Sequence, residues 1–184
     1  MPDPNLTIPE GSTPNWLLRY SDRRARTYER RAARYEGMFP RLRSRRARRV
    51  LVLLLALALA LAVGSSIYAF WQMSYASIPF VIGVLGSLLF LSLLRVSNGA
   101  VADAPAQALD EIQLAQRNAV RSLAYVLLLP IVVAVYFVAI TLGMREQVAG
   151  DTVAALAWLL ITSVLAVTCL PDILLSWWMP DDEE

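Results

Sequence analysis

The chain has 184 residues, of which 57% are hydrophobic and only 17% charged. A soluble domain carries about a quarter of its residues as charges. From Val50 to Leu94 there is no Asp, Glu, Lys or Arg at all, a run that a water-facing surface rarely tolerates. These values exclude a disordered or collagen-like chain, stand against a soluble globule and point to an integral membrane protein.

Missing residue types narrow the chemistry further. There is no His, which removes His-ligated haem, His-containing zinc sites and a Ser-His-Asp triad. All 17 basic residues are Arg. Without Lys there is no Schiff-base lysine and no P-loop lysine. The Arg-only, Ala- and Leu-rich usage fits a GC-rich bacterial genome. Cys169 is the single cysteine; it cannot form an intrachain disulfide and reads as a small buried hydrophobe. No catalytic group, no metal and no cofactor is expected.

Residues 1–15 hold four prolines and read as a flexible leader. Residues 16–49 read as a basic helical segment. Projected at 100° per residue, Leu17, Tyr28, Tyr35 and Phe39 share one side, while Arg23, Arg26, Arg30 and Arg34 lie largely elsewhere. Asp22 and Glu29 stand at helical spacing from Arg26. Gly37 and Pro40 give a stop signal, and a second basic run, Arg41 to Arg49, leads into apolar sequence. Arg41, Arg43, Arg45, Arg46, Arg48 and Arg49, with Tyr28 and Tyr35, are the candidate contacts to anionic lipid headgroups or to a partner subunit. Arg and Tyr together also suit nucleic acid, but a juxtamembrane basic run already has a sufficient explanation, so nucleic acid is not an expected partner.

Four apolar runs follow. The first, 50–71, has 22 residues, or about 33 Å of helix, enough to cross the hydrocarbon core. About fifty polar residues precede it, which excludes a signal peptide. The second is 78–94, the third 122–144 with Pro130 inside, and the fourth 153–170, expected to stop at Pro171-Asp172. None has the polar stripe of a surface-packed helix. Residues 1–49 hold 13 Arg against five acids, the stretch 95–121 holds three more, and only Arg145 falls between the third and fourth runs. The Arg-rich side stays cytoplasmic. The expected fold is therefore all-α: four transmembrane helices in a bacterial cytoplasmic membrane, both termini inside, with a basic amphipathic helix on the cytoplasmic face. Trp71 at the outer end, and Trp177 and Trp178 in the segment 171–184 that ends in an acidic tail, are the expected interfacial anchors.

Between the second and third runs, Asn98-Gly99 is a turn signal and Asp103 with Pro105 marks a helix start. Leu109, Ile112, Ala115, Ala119 and Leu123 then form an apolar face, expected to pack on the N-terminal basic helix. One helix is expected from Ala104 to Gly143, with a bend near Arg121 as the alternative. The stretch Leu109-Asp110-Glu111-Ile112-Gln113, followed by Arg117, Ala119, Ala124 and Tyr125, resembles a segment of small, uncharacterised bacterial multi-spanning proteins. The resemblance covers about twenty residues and implies a bacterial membrane protein, with no activity or site attached.

Inside the spans the polar inventory is Ser and Thr. Asp172 is expected at the inner interface, where a carboxylate keeps its water. Gly83, Gly86 and Ser87 form a small-residue patch that lets another helix approach closely. These features fit a non-catalytic accessory subunit or assembly factor of a larger membrane complex. A homo-oligomeric channel or pore, and a lipid-handling protein or transporter component, are the alternatives.

Overall fold

The computed structural model describes residues 19, 23, 26, 27, 30, 44–98, 111–145 and 147–178. Every regular element among them is a helix: α1, Arg45–Tyr68; α2, Met73–Ser97; α3, Glu111–Gly143; and α4, Gly150–Trp178. All four are long and apolar enough to cross a membrane.

Ser44 starts α1, its extended backbone turning the chain and its Oγ accepting from the Ala47 N–H at 3.3 Å. Capping by a hydroxyl satisfies one of the four open N–H groups of the first turn. α1 and α2 are joined by a tight reversal in which Phe70, Trp71 and Gln72 donate their N–H groups to Ile67 and Tyr68. α2 is already helical at Met73, so the linker is shorter than the 72–77 stretch read from composition.

The fourth helix departs from expectation. It does not stop before Pro171 but runs on to Trp178. A proline removes one N–H and crowds one carbonyl. Within an apolar environment no water competes for the remaining backbone groups, so a helix loses one bond and continues. Pro79 in α2 and Pro130 in α3 sit inside unbroken helices for the same reason. α3 passes through Arg121 without interruption of its helical backbone. The helix start expected at Ala104 and the packing of Leu109 lie outside the described residues.

α1, α2 and α4 form a three-helix core, and α3 packs on the outside of α4. Toward the end where α1 begins, Leu51, Val52, Leu55 and Leu59 meet Leu94 of α2 and Cys169 of α4, with Phe90 and Ile173 alongside. At the opposite end Ala69, Ala76 and Ala155 form a small core flanked by Phe70, Met73 and Trp158, and Phe80 stacks on Trp158 with centroids 4.1 Å apart. Across the middle, Gly83 lets α2 close on α1: a Cβ there would fall 2.6 Å from the Ala62 nitrogen and 3.0 Å from the Ala58 carbonyl oxygen. Ser87 is fully buried on the same face and returns its hydroxyl to the Gly83 carbonyl at 2.7 Å.

Candidate functional site

Chain direction brings the start of α1, the end of α2, the start of α3 and the end of α4 to one end of the molecule. Arg45, Arg46, Arg48, Arg49, Arg95, Arg117 and Arg121 all lie there. α2 and α4 run parallel, so residues at their C-terminal ends share a depth. Arg95 Nε and Nη2 both donate to Asp172 Oδ2, at 3.2 and 3.0 Å. One step further along, Asn98 Nδ2 donates to Ser176 Oγ, which itself donates to the Asp172 carbonyl. Ser97 Oγ donates to the Leu94 carbonyl at 2.8 Å. The two cross-links are three residues apart on α2 and four apart on α4, the spacings that put side chains on one helix face. Together they lock the register of the parallel pair.

The Asp172 side chain is 4% exposed, while that of Arg95 is 38% exposed. Asp172 is therefore not a water-bathed interfacial carboxylate. It faces the helix core because it falls three residues after Cys169 and three before Leu175, both buried. A carboxylate so placed is tolerable only with a cation and hydrogen bonds around it. Asn98 and Ser176 are buried with it.

The arginines of α1 divide by helix face. Arg45, Arg46 and Arg49 are exposed, and the Arg49 guanidinium lies 5.2 Å over the ring of Trp177. Arg48 is only 1% exposed. It precedes Leu51, Val52 and Leu55 by three, four and seven residues, the spacing of the packed face, which sets it apart from the exposed Arg45, Arg46 and Arg49. Arg117 of α3 is buried too, on the side turned to α4. Arg19, Arg23, Arg26 and Arg30 have helical geometry and are exposed, with Thr27 Oγ1 donating to the Arg23 carbonyl at 2.8 Å. Their spacing of four, three and four residues sets them on one face. Tyr28, Tyr35, Arg41 and Arg43 lie outside the described residues.

Trp71 is exposed in the α1–α2 turn, and Trp177 and Trp178 are exposed in the last turn of α4. Gly86 faces α1, where a Cβ would stand 3.4 Å from that of Ala58. Two further residues meet where the last turn of α1 crosses the middle of α4: Ser66 Oγ lies 3.2 Å from Thr162 Oγ1, both fully buried. Sequence reasoning did not pair them, nor Arg95 with Asp172. For the ion pair a signal existed, because each residue closes one of two spans of the same direction. For the hydroxyl pair no local signal exists.

Among the described residues no group of three His, Cys, Asp or Glu could hold a metal ion. The chemistry on display is association: a buried ion pair, amide–hydroxyl and hydroxyl–hydroxyl contacts, and small residues at a crossing. No protein-family model, curated protein or solved structure matches the chain.

Proposed function

We propose that the chain is a multi-pass protein of a bacterial cytoplasmic membrane, with both termini in the cytoplasm, that serves as a non-catalytic accessory or assembly subunit of a larger membrane complex. The observation that carries this reading is where the polar side chains of the core spans are used. Arg95–Asp172, Asn98–Ser176 and Ser66–Thr162 tie one helix to another. Groups committed to holding helices together serve a scaffold better than a translocation path.

The placement of the arginines supports the orientation. Four of them, Arg45, Arg46, Arg48 and Arg49, crowd the first turns of α1, where no acid occurs. A helix N-terminus disfavours positive charge by about 0.3–1 kcal/mol per residue. Helix stability does not account for them, whereas retention on the cytoplasmic side does, joined at the exposed Arg45, Arg46 and Arg49 by attraction to anionic headgroups. Arg19, Arg23, Arg26 and Arg30 add four more exposed arginines to the part of the chain that precedes α1.

The test is purification of the tagged chain at native abundance from mildly solubilised membranes. The expected result is a second polypeptide at fixed stoichiometry through two successive columns. A homogeneous preparation of this chain alone, conducting ions after reconstitution, would overturn the reading in favour of a pore.

A further inference from the structure

α3 stands apart from the rest of the bundle. No residue of its most apolar stretch is buried, and it packs on α4 alone among the helices it meets extensively. Ala124, Leu128, Ile131 and Val135, at steps of four, three and four, are its partly covered side. About a quarter-turn away runs a second stripe at steps of four, three, four, three and four: Asn118, Ser122, Tyr125, Leu129, Val132 and Tyr136, all exposed. Tyr125 is 72% exposed, Leu129 69% and Tyr136 59%.

In a membrane an exposed apolar face needs no partner, but the Tyr136 hydroxyl does. The span read from sequence, 122–144, is centred on Val133. Tyr136 is then about 4.5 Å from the midplane by helical rise, against a core half-thickness of about 15 Å. Helical side chains lean toward the helix N-terminus, which here lies across the midplane, so the ring leans further into the core. Its ring meets that of Phe137, centroids 6.0 Å apart, and among the described residues its hydroxyl has no hydrogen-bond partner. A hydroxyl left unbonded in hydrocarbon is costly.

We infer that this stripe is the contact surface for a second copy of the chain, packed α3 against α3 in parallel about a two-fold axis along the membrane normal. Three properties select this occupant. A two-fold contact sets each residue against its own counterpart at the same depth, so Tyr136 meets Tyr136 and one hydroxyl accepts from the other. The polar residues of the stripe, Asn118, Ser122, Tyr125 and Tyr136, each donate and accept, which makes the surface self-complementary. Arg117 and Arg121 lie off the stripe, so no like charges oppose each other. The alternation of three and four is the repeat of a left-handed helix pair.

The inference rests on the membrane-spanning reading alone, independently of any accessory role. The test is oxidative cross-linking in native membranes of single-cysteine variants at 128, 129, 131, 132 and 136 in a Cys169→Ala background, with membrane fractionation of each. The expected result is disulfide dimers from the cysteines replacing Leu129, Val132 and Tyr136, and none from those replacing Leu128 and Ile131. In the Leu129→Cys background, Tyr136→Phe should lower the dimer fraction roughly threefold, the equivalent of one interhelical hydrogen bond. Absence of dimers from all five cysteines in membrane-inserted protein, dimers without this periodicity, or a disulfide to a different polypeptide would overturn it. Recovery of the chain outside the membrane fraction would instead overturn the reading on which it rests.

Discussion

Removing one member of the Arg95–Asp172 pair should be far more damaging on one side than on the other. Arg95→Ala leaves a carboxylate that is 4% exposed without the two donors now 3.0 and 3.2 Å from Oδ2. Breaking a buried pair in this way costs about 3–5 kcal/mol. Asp172→Asn leaves a guanidinium whose side chain is 38% exposed and still able to reach water or headgroups. Its loss should stay near the value for a surface pair, about 1 kcal/mol or less. The double variant Arg95→Met/Asp172→Leu removes both charges and should recover most of the Arg95→Ala loss, since an apolar replacement of a buried pair is often neutral. Reversible unfolding in bicelles, followed by tryptophan fluorescence, measures all three. Equal losses for the two single variants, or a double variant as unstable as the sum of the singles, would refute the reasoning that Asp172 is a buried charge compensated by Arg95.

Three further outcomes follow from the packing. Gly83→Ala should destabilise the bundle by about 1–3 kcal/mol, because its Cβ would fall 2.6 Å from backbone of α1. Gly64→Ala, with nothing within 4 Å, should be neutral or stabilising by about 0.5–1 kcal/mol; the same unfolding measurement distinguishes the two. Ser66→Ala and Thr162→Ala should each cost about 0.6 kcal/mol, the average for interhelical hydrogen bonds in membranes, and the two losses should not add, as a double-mutant cycle reads. Trp177→Ala should remove about 0.5–1 kcal/mol through the lost Arg49 contact, and Arg49→Gln should remove the same amount with no additional effect in combination.

The helices were legible because the run from Val50 to Leu94 and the two later apolar stretches leave no alternative in lipid. Their ends were less so. Pro171 reads as a stop by rules drawn from aqueous helices, yet α4 continues for seven residues beyond it, since a membrane-embedded backbone has nowhere else to bond. The small-residue patch at Gly83 and Ser87 was visible from composition, whereas its partner surface, Ala58 and Ala62 of α1, is one of many alanines and carries no mark. Arg48 shows the same limit. In sequence it is one of four similar arginines; only the side of α1 that packs on its neighbours separates it from Arg45 and Arg49. The Arg95–Asp172 pair joins residues 77 positions apart, and only the common direction of α2 and α4 brings them together.

The central claim is that four helices cross the bilayer with the arginine-bearing end inside. Labelling of intact cells by a membrane-impermeant maleimide, with single cysteines in a Cys169→Ala background, tests it most directly. Cysteines replacing Gln72 and Arg145 should react from outside, and one replacing Arg45 should react only after the membrane is permeabilised. Labelling of the Arg45 position in intact cells, with Gln72 and Arg145 protected, would contradict it.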